Sequence, residues 1–208
     1  MVFPVLTLKP GITRFIDKIN PVIYGEKMSE NLVHLFNEIG MLAHTPRSGF
    51  AFLGSGSQSV AEHSHRMTLI AYVLADECKQ SIDLTKLLVM CLCHDLPEAR
   101  TGDLNYMNKK YVSADESKVI EELKSKHPIG KKIGTYLNEY IECKTLEAHL
   151  AHDADQLELL LKLKELSELG NPRAMEWFEG CVKRLYTETA KALAKTIRAT
   201  RSDAWMNH

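Results

Sequence analysis

A chain of 208 residues with 45% apolar content is long enough for one substantial core and short for two. Its 26 basic and 27 acidic residues leave a formal net charge of -1, which removes the electrostatic argument for a nucleic-acid polymer or an anionic membrane as a partner. Five cysteines, an odd number without CxxC spacing, argue against a disulfide framework and for a reducing, cytoplasmic compartment. The opening stretch has no basic segment and is interrupted by Pro4 and Pro10, so it does not read as a signal peptide. No apolar run reaches the roughly 18 residues that a membrane span needs.

Residues 1–28 carry Pro4, Pro10 and Pro21 and read as an irregular N-terminal arm, with a short helix at 12–19. Residues 29–208 are expected to form one domain. Ser29 is placed to cap a helix carrying Leu32, Leu35, Phe36 and Ile39 and ending at Gly40. Residues 44–57 read as a long loop whose one cation is Arg47. Ser59 and Glu62 form a capping box, opening a helix to about residue 77. On it His63, Met67, Ile70 and Leu74 share one face, while His65 points away.

Asp83 caps the next helix, where Leu84, Leu87, Leu88, Cys91, His94 and Asp95 fall together. Glu98 lies a turn beyond His94, and Gly102 closes the segment just before Asp103. Residues 105–127 read as a solvated face with Val119 and Leu123 turned inward, and no chemistry is expected there. A further stripe, Ile133, Leu137, Tyr140 and Ile141, precedes the longest helix at 146–169. On that helix Asp155 faces the core, and Asp153, about 200° away, is expected at the surface or behind the site. A single last helix is expected over 175–198. No strand signal and no internal repeat occur, so the fold class is all-α.

An apolar run that ends in several ionisable groups needs something to stabilise them, because burying them unpaired costs several kcal/mol each. A cation is the simplest partner. His63, His94, Asp95 and Asp155 lie on inward faces of three helices and form a mixed nitrogen and oxygen set. Such a set suits an octahedral divalent ion, namely Mn, Co, Ni, Fe or Mg, better than a structural zinc. His63 by itself reads more readily as a hydrogen-bonded core histidine than as a ligand, and Arg47 reads equally as a solvated loop residue.

With these residues in view the sequence resembles the HD-domain metal-dependent phosphohydrolases, which are helical bundles. A histidine, a His-Asp doublet and a distant aspartate are their signature. Ser59-Val60-Ala61-Glu62-His63-Ser64, His94-Asp95 with Glu98 and Thr101-Gly102-Asp103-Leu104, and Asp153-Ala154-Asp155-Gln156 are similar to the 5'-deoxynucleotidase branch over residues 29–195. The resemblance implies one divalent ion held by His63, His94, Asp95 and Asp155, with Glu98 and Asp103 flanking water and substrate. It implies a small nucleotide substrate and a homodimer. Where members often carry an arginine before the loop proline this chain has His44, and Arg47 matches a second basic position. His44 and Arg47 are therefore the expected phosphate contacts. Alternatives are an HD phosphohydrolase acting on nucleoside triphosphates, cyclic nucleotides or pyrophosphorylated nucleotides, a non-catalytic nucleotide-binding regulator, and a purely structural bundle.

Overall fold

The computed structural model describes residues 26–207, so the expected arm lies almost wholly outside the described residues, its helix at 12–19 included. The helices are α1 (Glu26–Met41), α2 (Gly49–Leu53), α3 (Val60–Asp76), α4 (Leu84–Cys93), α5 (Glu98–Thr101), α6 (Glu116–Lys126), α7 (Pro128–Glu142), α8 (Leu146–Glu168), α9 (Ala174–Val182) and α10 (Glu188–Ala199). Short 3-10 turns lie at Asn108–Lys110 and Ala204–Asn207. Among the described residues the only extended pairing is an isolated antiparallel bridge between Pro46 and Ser59. No described helix is long and apolar enough to cross a membrane.

Helix α8 is the axis of the bundle. Ala148, Leu150, Ala154, Leu157, Leu160, Leu163 and Leu166 are buried on nearly every side of it, the pattern of a helix enclosed by others. Helices α3, α4, α7, α9 and α10 pack around it. Met67, Ala71 and Leu74 of α3 and Leu87, Met90 and Cys91 of α4 join Phe178 of α9 in the main core. A second, smaller core brings Leu35, Val60, Leu96, Leu123, Ile133 and Leu137 together beneath α1, α6 and α7. There α6 and α7 approach so closely that a Cβ on Gly130 would sit 2.1 Å from the carbonyl oxygen of Leu123, which only glycine avoids.

The cap signals are borne out. Ser59 and Glu62 exchange hydrogen bonds at 2.6 and 3.2 Å, and Asp83 accepts from the Lys86 amide at 2.9 Å. Other expectations are corrected. Helix α1 spans Glu26–Met41, so Ser29 is inside it, and of the stripe only Leu35 is buried while Phe36 is 63% exposed. The 44–57 loop contains α2. Helix α4 stops at Cys93 because Pro97 has no amide hydrogen to give the Cys93 carbonyl, which takes the Leu96 amide at 2.8 Å instead. Glu98 thus starts a new short helix rather than continuing the old one.

The expected last helix is two, α9 and α10, broken at residues 183–187. Asp153 is the cause. It is fully buried, so of the two expected positions the surface one is excluded, and it accepts from the amides of Tyr186 and Thr187 at 2.6 and 2.9 Å and from the Thr187 hydroxyl at 2.6 Å. A carboxylate that collects those amides ends one helix and starts the next. Replacing Asp153 by Ala should destabilise the protein by about 3 kcal/mol, since two backbone amides and a hydroxyl lose a charged, fully buried acceptor. Urea unfolding checks this, and a loss within experimental error would show that α10 is held by packing alone.

Candidate metal centre

His63 projects from the first turn of α3, His94 from the C-terminal end of α4 and Asp155 from the middle of α8. Those three helices pack on one another, so three segments distant in sequence deliver side chains to one point. One donor atom from each of the three lies within 4.8 Å of the others, and the two imidazole rings are 5.4 Å apart at their centroids.

The outer nitrogen of each ring is already engaged. His94 Nδ1 is 2.9 Å from the Cys91 carbonyl, which can only accept, so that nitrogen carries the hydrogen. His63 Nδ1 lies 2.5 Å from Glu158 Oε2. Both rings therefore turn Nε2 toward the shared point. His63 Nε2 is buried and has no hydrogen-bond partner, although Asp155 Oδ1 stands 3.2 Å away. His94 Nε2 faces Asp95 Oδ2 at 3.0 Å. Buried nitrogens aimed at carboxylate oxygens, with their far sides anchored, fit a divalent cation.

The electrostatics agree. Burial and Arg47 oppose protonation of His63, yet Asp155 and Glu158 prevail and hold its pKa above the ordinary histidine value. Burial likewise opposes His94, and Asp95, Asp155 and the Cys91 carbonyl raise it. Burial works against the charge on Asp155, but His63, Arg47 and His94 keep it far below the usual carboxylate range. Asp95 is lowered in the same way against burial, by His94 and Arg47. Without a cation, protons on the imidazoles balance the carboxylates.

Beside this cluster opens a cavity of about 550 Å³. Arg47, Asp95, Glu98 and Asp103 line it with His94 and Asp155. Arg47 is not a solvated loop residue: its side chain is 17% exposed, with Nη1 3.5 Å from Asp95 Oδ2. Asp103 accepts from the Ser48 amide at 2.6 Å, tying down the segment that carries Arg47. Glu98 Oε2 is buried without a hydrogen-bond partner, and burial with Asp95 and Asp103 nearby pushes its pKa up to about 9. His44 is placed elsewhere. It is exposed and lies off the lining of this cavity, on a neighbouring surface groove that Arg47 also borders.

Several lining residues have no counterpart in the sequence reading. Lys109 and Glu116 come from the 105–127 segment that looked purely solvated, and Tyr106, Tyr140, Trp177 and Arg184 complete the walls. Glu158 was legible and overlooked, being a lone acid within the leucine-rich run 157–161.

The geometry defines a helical bundle with a buried His/His/Asp centre facing a polar cavity. The HD domain family model matches residues 39–198, and the chain belongs to that family. It is 28% identical over 188 residues to a 5'-deoxynucleotidase HDDC2 of Dictyostelium discoideum, covering 82% of this chain and 98% of the relative. It is 26% identical over 183 residues to the HDDC2 5'-deoxynucleotidase of Danio rerio, covering 83% and 89%. Among solved structures it is similar to a conserved hypothetical protein of Pyrococcus furiosus, with a TM-score of 0.68, 28% identity and coverage of 81% and 99%.

A proton on Nε2 occupies the lone pair that a cation requires, so uptake must displace it. Because both histidine pKa values are raised, the protonated form persists through and above about pH 6.5, the ordinary histidine value. Affinity for Mn2+ or Co2+ should therefore fall as pH drops through that range. Calorimetry in buffers of different ionisation enthalpy should show proton release on loading, and heats independent of buffer would contradict it.

Proposed function

We propose that the chain is a divalent-metal-dependent phosphohydrolase that releases phosphate from deoxyribonucleoside 5'-monophosphates. The observation that carries the proposal is the joining of a His63, His94 and Asp155 donor cluster to one cavity whose walls include Arg47, Asp95, Glu98 and Asp103. The deoxynucleotidase relatives, matched over nearly their full length, support the substrate class.

His63, His94 and Asp155 hold the cation, with Asp95 beside His94 as the fourth ligand, and the mixed donor set favours Mn, Co, Ni, Fe or Mg. When bound, such an ion supplies Lewis-acid polarisation of a phosphoryl oxygen and acidification of water. The remaining chemistry belongs to the chain. Arg47 offsets phosphate charge through its planar donors. Asp103, anchored on the Ser48 amide, orients the attacking water and accepts from it. Glu98 keeps a proton at neutral pH in the metal-free site and is placed to donate it to the leaving 5'-oxygen. Two carboxylates thus take opposite roles because one is deprived of partners and the other is given a backbone amide.

A screen of nucleoside mono-, tri- and cyclic phosphates with these five ions tests the reading, and orthophosphate from deoxynucleoside monophosphates is the expected product. Pyrophosphate or a linear monophosphate as the product would transfer the chain to another HD chemistry. Replacing Asp95 by Ala should abolish both cation uptake and turnover; full turnover without bound metal would refute the ligand assignment. Glu98→Gln should lower kcat by roughly a hundred- to ten-thousand-fold while cation affinity is kept. Loss of affinity in that variant would make Glu98 a ligand instead of an acid.

A further inference from the structure

We infer that Glu158 is a positioning residue of the metal centre, which holds His63 in the one tautomer and orientation that present Nε2 to the cation. The inference rests on the metal reading given above and concerns a residue outside the four proposed ligands. Glu158 sits on α8 one turn after Asp155, and its side chain is fully buried. A carboxylate in that position is costly unless every oxygen is satisfied.

Both oxygens are satisfied, and by partners that divide the work. Oε2 takes the hydrogen of His63 Nδ1 at 2.5 Å. Oε1 accepts from Gln58 Nε2 at 2.7 Å and from Arg66 Nε and Nη2 at 2.8 and 2.5 Å. Oε1 is taken up by hydrogens from an amide and a guanidinium, so Oε2 is left to accept from Nδ1, and the ring's lone pair is directed to Nε2. Across the shared point His63 Nε2 faces Asp155 Oδ1 at 3.2 Å.

The two histidines are thereby unequal. His94 leans on the neutral Cys91 carbonyl, whereas His63 leans on a carboxylate, and a charge-assisted hydrogen bond makes the imidazole the more basic donor. The geometry is also economical in sequence. Arg66 follows His63 by one turn of α3, so the residue that neutralises Glu158 and the residue Glu158 orients share a helix face. A tie between α3 and α8 for its own sake would need neither the tautomer control nor an Nε2 turned toward Asp155.

Co2+ alone serves as the probe, titrated by calorimetry into wild type and Glu158→Gln, with the visible spectrum of each loaded protein recorded. The variant should bind Co2+ about 10- to 100-fold more weakly and show an altered Co2+ spectrum while its helical circular dichroism is retained. Saturating Co2+ should then restore most of kcat. Should the variant fail to fold, nitrogen-15 histidine spectra of the Zn2+-loaded wild type decide, and a hydrogen on His63 Nδ1 with Nε2 on the metal is expected. Wild-type Co2+ affinity and spectrum in Glu158→Gln, with only a lower Tm, would reduce Glu158 to a structural tie, and so would a Zn2+–Nδ1 bond. Absence of Co2+ uptake by wild type would remove the metal reading and this inference together. Uptake without any phosphatase activity would sink the substrate proposal alone.

Discussion

Mutual compensation of buried charge at the crossing of α3, α4 and α8 is the constraint on which the site depends. Asp95, Asp155 and Glu158 would each cost several kcal/mol if buried unpaired, as would the two imidazoles if charged. They are tolerated because each faces an opposite charge or a fixed dipole: His63 between Asp155 and Glu158, His94 between Asp95 and the Cys91 carbonyl, Arg47 against Asp95. The hydrocarbon around them strengthens every one of these pairings by lowering the local dielectric.

The rest of the fold serves that crossing. Leucines on all sides of α8 make it a rigid axis, so Asp155 and Glu158 are held one turn apart without freedom to swing away. Pro97 ends α4 just before the doublet, and the turn that carries His94 and Asp95 leads into α5, which carries Glu98 and runs on to Asp103 at the cavity wall. Asp153 breaks the C-terminal helix in two, and both pieces pack on α8, with Trp177 of α9 contributing to the same cavity. Two aspartates separated by a single alanine thus serve different ends, Asp155 in the site and Asp153 in the chain path.

Chemical differentiation within the cavity follows from partners rather than from residue type. Glu98 is deprived of hydrogen-bond donors and pressed by neighbouring carboxylates, so it retains its proton. Asp103, a few residues on, receives a backbone amide. The same logic separates the histidines, one backed by a carbonyl and one by a carboxylate. None of these distinctions is a property of the side chains alone.

Local rules made much of this protein legible from its residues. The capping box at Ser59 and Glu62, the Asp83 cap, the all-helical class and the inward faces of His63, His94 and Asp155 follow from hydrogen-bonding capacity and a 3.6-residue period, which need only near neighbours. The His-Asp doublet at the end of an apolar run announced a site for the same reason. Only the tertiary structure decided which polar residues meet across helices. It joined Glu158 to His63, brought Lys109 and Glu116 from a segment that looked solvated, turned Asp153 inward and left His44 outside. Those outcomes depend on contacts between residues tens of positions apart, set by how helices pack around α8, and periodicity within one helix carries no information about the helix it will touch.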